Sequence, residues 1–404
     1  MNIRNSRPVA VFLFIAFVLA AVSLPGCATF KARHAVPADR IYDTTIPGMP
    51  DVRVVMDYKN MNASIIRLEQ IGDRVGDVVN PNSKEITLLA LSGGGASGAF
   101  GAGFLCGWSA SGDRPEFDIV TGISTGALMG PAIFLGPKYD DKLKRLYTTH
   151  ADKDIATAKD PISIFIGGSD SMMSTKPLSN ILDAYMTMDM MIGIAREHAK
   201  GRRFYVATSQ LDAHRMVIWD MGAIASIGTP RALDLFHKVL MASSAIPVAF
   251  PPMMFDVEAK GENYNEMHVD GGVTAQTFGN ILLTQRLKES PSAKGRAYII
   301  YNEKLVGDPG TVDANIASIA KNSMDMIVSS QGIGDIFRMY ELSKKDNFEF
   351  NLAYIAADFN APHKGEFDPV YMNALFDMAY EKAKAGYSWT KQPPFAEIYG
   401  GENK

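Results

Sequence analysis

The chain has 404 residues, 47% of them hydrophobic and 21% charged, a balance that excludes a wholly disordered polymer. Its 40 basic residues fall short of its 44 acidic ones, and a formal charge of −4 leaves no basic field that would make nucleic acid the main partner. With Cys27 and Cys106 as its two cysteines, the chain has neither a disulfide framework nor a cysteine-rich metal site.

Arg4 and Arg7 precede an apolar run from Val9 to Leu24, interrupted by Ser23 alone and ending in Leu24-Pro25-Gly26-Cys27. That order is the layout of a secretory signal peptide over residues 1–26. At about 1.5 Å per residue the run reaches roughly 24 Å, short of the ~30 Å hydrocarbon core that a spanning helix must cross. The Leu-x-Gly-Cys ending resembles the lipobox of bacterial lipoproteins, although Pro25 stands where that motif ordinarily has a small residue. The resemblance implies cleavage before Cys27, a diacylglycerol on its thiol and an acylated amino group. Several acyl chains, each contributing about 0.8 kcal/mol per buried CH₂, make such an attachment effectively permanent. Ala28 resembles the outer-membrane sorting pattern, so the expected location is the cell envelope, with the protein held at the outer membrane. The other reading is an uncleaved anchor, or a non-lipidated signal with an incidental Cys27. Cleavage would leave 378 residues of charge −6, an acidic body with no electrostatic pull towards an anionic leaflet.

Phe30 to Pro50 carries three prolines and no helical period, the pattern of a tether. Asp57 to Val79 repeats apolar residues at Met61, Ile65, Ile66, Leu68 and Ile71, which predicts an amphipathic helix closing an N-terminal addition over 27–84. Glu85 to Leu91 is a short continuous apolar run that enters Ser92-Gly93-Gly94-Gly95 at once, as a buried parallel strand enters a tight loop. Gly98 to Ala110 can form a helix whose glycines allow close packing, at a cost of about 1 kcal/mol each relative to alanine. Cys106 is expected in its packed face. Phe117 to Val120 is the next buried strand, followed by Thr121-Gly122-Ile123-Ser124-Thr125-Gly126 and a helix from Ala127 to Leu135. Two successive strand, glycine turn, helix units predict an α/β fold: a central, mostly parallel sheet flanked by helices on both faces.

Farther along, helices are expected over Lys138 to His150, Pro177 to His198 and Arg231 to Ser243, and strands over Arg203 to Thr208 and Met216 to Trp219. Pro247, Pro251 and Pro252 force a turn. Met186, Met188, Met190 and Met191 lie close together and are expected to fill core rather than line a lipid pocket. Met267-His268-Val269-Asp270-Gly271-Gly272 precedes a strand over Ala297 to Tyr301, which completes a catalytic domain over 85–302. Ile316 to Leu342, Phe348 to Ile355 and Pro369 to Lys384 read as helix, strand, helix, and 303–404 as a helical C-terminal extension packed on that domain.

Gly122-Ile123-Ser124-Thr125-Gly126 fits G-x-S-x-G where a buried strand becomes a helix, the setting a nucleophile elbow demands. Its glycines let helix and neighbouring strands approach, and the helix N-terminus favours developing negative charge. Gly93 to Gly98 formally fits G-x-G-x-x-G, but the acid a dinucleotide site needs about 20 residues on is met only by Asp113 and Glu116, which lie in a loop. The alternative is an oxyanion loop in which the N–H groups of Gly94 and Gly95 face a carbonyl oxygen. For a base, the Ser-acid-His order of α/β-hydrolases would pair Ser124 with Asp270 and His363, or use His268 directly. Asp270 stands out because Gly271 and Gly272 allow close approach. From the residues alone, a Ser-Asp dyad and a triad with histidine both stay open.

Gly93-Gly94-Gly95-Ala96-Ser97-Gly98, Gly122-Ile123-Ser124-Thr125-Gly126 and Asp270-Gly271-Gly272, in that order, resemble the motifs of the patatin-like phospholipase family. Ala242 to Pro247 with Phe250-Pro251-Pro252 resembles the family's stretch before its aspartate, and the likeness covers roughly residues 85 to 302. It implies a serine acyl hydrolase acting on lipid or acyl esters through a dyad, with Ser124 as nucleophile and Asp270 as general base. It further implies an oxyanion hole at Gly93, Gly94, Gly95 and Gly98, elbow glycines at Gly122 and Gly126, and a base loop at Gly271 and Gly272. Ser97 stands where the family loop usually has Arg or Lys, which removes a cation near the site. No cofactor or metal is expected, since the acidic residues show no EF-hand-like spacing for calcium. The rival reading is a catalytically silent lipid-binding or envelope-assembly lipoprotein.

Overall fold

The apolar runs are buried on both faces, so helices must cover each side of the sheet they build. The computed structural model describes residues 33–73, 84–160, 169–362 and 364–394; the expected signal peptide, Cys27 and His363 lie outside them. One sheet of nine strands runs through the described chain. Its members are β1 (Arg53–Val55), β2 (Glu85–Leu91), β3 (Ile119–Gly122), β4 (Arg203–Gln210), β5 (Arg215–Asp220), β6 (Met253–Ala259), β7 (Glu262–Asp270), β8 (Lys294–Lys304) and β9 (Phe348–Ile355). The order is β1-β5-β4-β3-β2-β8-β9, and the run β4-β3-β2-β8-β9 is parallel throughout. β5 and β1 close the other edge in antiparallel sense.

The β6–β7 hairpin positions the site. Both loop residues, Lys260 and Gly261, have positive φ (52° and 80°), the twist a two-residue hairpin turn requires. β7 then pairs with β4 at Thr208 to Gln210, on the side β3 has vacated by ending at Gly122. Asp270 at the end of β7 is thereby carried to the crevice beyond the C-terminal end of β3, where open α/β sheets bind ligands.

Ten helices matter to the packing: α1 (Met61–Asp73), α2 (Gly98–Ser111), α3 (Thr125–Leu135), α4 (Asp140–Thr148), α5 (Lys176–Tyr185), α6 (Met188–Ala199), α7 (Pro230–Ser243), α8 (Asn280–Glu289), α9 (Ile316–Asp346) and α10 (Pro369–Lys384). The glycines that weaken α2 are repaid in packing: a Cβ on Gly103 or Gly107 would strike the backbone carbonyls of Phe376 and Tyr380, so α10 lies directly on α2. Cys106 is buried on α2, and burial pushes its thiol up to about 12.

Residues 33–50, read as tether, instead pack on the body: Thr45 exchanges two backbone hydrogen bonds with Glu258 at 2.9 Å, and Val36, Ile46 and Met49 are buried. Three further readings change. The helix read over Pro177 to His198 is two, broken at Met186-Thr187, where the Thr187 side chain caps α6 by accepting the Met190 N–H. Residues 303–404 are more than a helical extension, because β9 forms the edge of the main sheet in parallel register with β8. The hairpin and α8 were not anticipated, although Met-Met-Phe-Asp-Val-Glu-Ala alternates in burial as a half-covered strand should. Met186, Met190 and Met191 are core residues, as expected. Among the described residues no helix is long and apolar enough to cross a membrane.

Candidate active site

β3 ends at Gly122 and α3 begins at Thr125, so the chain must reverse its character across Ser124. Ser124 adopts φ 52° and ψ −123°, a left-handed conformation that costs a non-glycine residue about 1–3 kcal/mol. Surrounding contacts hold it there. The Ser124 N–H donates to Ser243 Oγ at 3.0 Å, and Ser243 Oγ donates to the Ala207 carbonyl at 2.8 Å. A Cβ on Gly126 would run into the Leu91 carbonyl, and one on Gly122 would come within 2.6 Å of the Gly126 carbonyl. The elbow glycines are therefore required by close backbone approach, and Ser124 is left at the N-terminus of α3 with its hydroxyl facing a crevice.

β2 delivers the glycine loop to the same crevice. Gly94 has φ 139°, open only to glycine, and a Cβ there would sit 2.5 Å from the Asn302 carbonyl. Asn302 locks the loop from β8: its N–H donates to Ser92 Oγ (2.8 Å), its Nδ2 to the Ser92 carbonyl (2.9 Å), and its Oδ1 accepts the Gly101 N–H (3.0 Å). Among the described residues nothing accepts the N–H of Gly94 or Gly95, which leaves two donors facing the crevice. The other two expected donors are spent. Gly93 N–H donates to the Gln276 carbonyl at 3.3 Å, and Gly98 N–H donates to the carbonyls of Gly95 and Ala96 at the start of α2. Gly98 serves packing instead, since a Cβ on it would strike Thr125 and Tyr147.

Asp270 closes the site from β7. Its N–H donates to the Ala245 carbonyl at 2.9 Å, and its Oδ1 accepts the Gly272 N–H at 2.7 Å. Burial pushes its carboxyl up to about 7, against the Ser124 hydroxyl and the Gly272 N–H, both of which favour the anion. A Cβ on Gly271 would lie 2.5 Å from the Ala207 carbonyl, so the base loop also needs its glycine for close approach.

The structure does not bring His268 to the serine. His268 is fully buried, with Nδ1 2.8 Å from Thr208 Oγ1 and Nε2 2.9 Å from Glu266 Oε2. Glu266 in turn accepts from Arg53 at 3.0 Å, and burial lowers the His268 pKa. Both imidazole nitrogens are committed to this internal network, so His268 is structural. Ser243, Asn302 and Gln276 went unnoticed in the sequence, although the Ala242-to-Pro247 stretch that carries Ser243 was singled out. Among the described residues no group of His, Cys, Asp and Glu side chains is arranged to hold a metal ion.

Two cavities meet at Ser124. One is an apolar slot lined by Leu128, Leu146, Ile155, Leu178, Phe250 and Met372. The other is a polar chamber of about 300 Å³ that also touches Asp270 and the glycine loop. A strained serine beside a carboxyl of raised pKa, with unused backbone donors in the same crevice and an apolar slot at its side, is an arrangement that can carry acyl transfer. The match to a family model supports a lipid acyl hydrolase. Residues 89–278 match the family model for patatin-like phospholipase. No curated protein matches the chain. A crystal structure of VipD from Legionella pneumophila is similar, with 14% identity, a TM-score of 0.37, and 80% of this chain and 72% of that chain covered. The chain carries a patatin-like phospholipase domain.

Proposed function

We propose that the protein is a serine acyl hydrolase that cleaves carboxylic ester bonds of lipids through Ser124 and Asp270. The observation that carries this reading is the strained Ser124 at the junction of the apolar slot and the polar chamber, facing a carboxyl raised to about 7. In the acylation step Asp270 takes the Ser124 proton as Oγ bonds to the ester carbonyl carbon. The N–H groups of Gly94 and Gly95 receive the oxyanion, and each such donor typically lowers a barrier by about 2.7–4 kcal/mol. Asp270 then returns the proton to the departing alcohol oxygen as the ester C–O bond breaks. Water repeats the sequence on the acyl-enzyme and restores Ser124. An ordinary carboxylate is a poor base for a hydroxyl, and raising its pKa to about 7 brings it towards the range where general bases work best near neutrality.

The apolar slot suits the acyl chain, and the polar chamber suits the alcohol. Ile316, Ile319, Met326 and Ile327 are exposed on the first half of α9, the helix that also walls the chamber through Lys321, Met324 and Val328. Such a surface suits a lipid interface. On this reading the body works at a membrane to which Cys27 tethers it. Intact-mass measurement after treatment with a fluorophosphonate tests the function: one adduct is expected on the wild-type protein and none on Ser124→Ala. A wild-type protein that forms no adduct and hydrolyses no ester would be the silent lipid binder.

A further inference from the structure

The polar chamber has a charge pattern that the chemistry at Ser124 does not use. Besides Asp270 it is lined by three carboxylates, Glu303, Asp325 and Glu366, and one ammonium, Lys321. Lys321 Nζ lies 2.8 Å from Asp325 and 3.4 Å from Glu366, so a single cation is shared by two acids. Glu303 has no cation: among the described residues its hydrogen-bond partner is the Tyr301 hydroxyl at 3.2 Å. Burial, together with Asp325 and Glu366, pushes the Glu303 carboxyl up to about 7 despite that hydrogen bond. Glu366 stands over the glycine loop, its Oε1 within 3.3 Å of where a Cβ on Gly95 would lie.

A second observation is independent of these acids. Gln276 also lines the chamber and is 3% exposed, yet among the described residues its buried Oε1 meets no donor. Its backbone is held in place by Asp335 of α9, which accepts the Gln276 N–H at 2.7 Å. An acceptor left unpaired in a buried wall is unfavourable until a ligand donor meets it. No three acidic or histidine side chains among the described residues converge on a metal position, so the excess negative charge is not arranged for a metal ion.

Given the assignment of Ser124 above, on which this step rests, we propose that the chamber receives the alcohol side of the ester and selects lipids whose head group carries an ammonium group. A zwitterionic phospholipid fits both signs. Its ammonium meets Glu303 and its companion acids, with Gln276 Oε1 as a further acceptor, while its phosphate meets Lys321. A head group of net negative charge would instead place its charge against Asp325, Glu366 and a Glu303 that is about half ionised near neutrality, with one cation to offset them. Like-charge juxtaposition of this kind is what suppresses wrong partners.

The test compares kcat/KM for phosphatidylethanolamine and phosphatidylglycerol of identical acyl chains, each in neutral-detergent mixed micelles, with a short-chain p-nitrophenyl ester run in parallel. The wild-type protein is expected to favour phosphatidylethanolamine by about tenfold or more, on the scale of a single ion-pair discrimination. In Glu303→Gln/Asp325→Asn that ratio is expected to fall towards one. Equal rates on the two lipids, or faster cleavage of phosphatidylglycerol, by wild-type protein would overturn the inference while Ser124-dependent hydrolysis of the p-nitrophenyl ester left the proposed function standing. Loss of Ser124 dependence on all three substrates would remove the function itself. Because the wild-type ratio is decisive alone, a misfolded variant does not blunt the test.

Discussion

Asp270→Asn should stabilise the protein at pH 8 while slowing its chemistry by orders of magnitude. The carboxyl ordinarily titrates at 3.8 and is raised by burial to about 7, so the folded state holds its proton more tightly than the unfolded chain does. The favourable contribution of that protonated form is fully present below the unfolded value and is lost as pH rises through the folded one. At about 1.36 kcal/mol for each pH interval of one between those two values, the whole loss is about 4 kcal/mol, and roughly a third of it has already occurred by pH 5. About 3 kcal/mol should therefore disappear from the wild-type protein between pH 5 and pH 8 and be spared in Asp270→Asn. The asparagine Oδ1 can still accept the Gly272 N–H, so the loop need not move. Urea unfolding of both proteins at the two pH values measures the difference. A variant less stable than wild type at pH 8, or a stability gap independent of pH, would refute the reasoning.

Three further outcomes follow from the same contacts. Because Asp270 must be ionised to act as base, kcat/KM on a neutral ester should rise about tenfold per pH unit below 7 and level off above it; a flat profile from pH 5 to pH 8 would count against the assignment. Ser243→Ala removes the bridge between the Ser124 N–H and the Ala207 carbonyl, and with two buried groups losing a partner it should cost about 2–4 kcal/mol in urea unfolding and slow fluorophosphonate labelling; unchanged labelling would mean the elbow holds itself. In cells grown with labelled palmitate the wild-type protein should take up label and Cys27→Ala should not, and equal labelling of the two would show that the lipid is not on Cys27.

What was legible in the sequence was whatever local backbone geometry forces. Gly122, Gly126 and Gly94 are glycines because a Cβ would strike a carbonyl or because φ is open to no other residue, and such demands leave short, ordered motifs. A short continuous apolar run such as Glu85–Leu91 is legible for a different reason, since a strand covered on both faces must be apolar on both. The supporting shell left no such trace. Ser243 reaches Ser124 across 119 residues and Asn302 reaches Ser92 across 210, so each role exists only once the sheet has formed. Gly98 was misplaced because whether its N–H is free depends on where α2 begins, one hydrogen bond beyond what the motif shows. His268 could be removed from the candidates only by its buried partners, Thr208 and Glu266. The β6–β7 hairpin was readable in principle, from alternating burial on either side of Lys260-Gly261.

The most direct test of a Ser124–Asp270 dyad is kcat/KM on one short-chain ester for wild type, Asp270→Asn and His363→Ala, measured side by side at pH 8. Removal of the base should lower activity by about 10²–10⁴-fold in Asp270→Asn, and His363→Ala should keep the wild-type rate. Full activity in Asp270→Asn, or a comparable collapse in His363→Ala, would contradict the dyad and return the base to histidine.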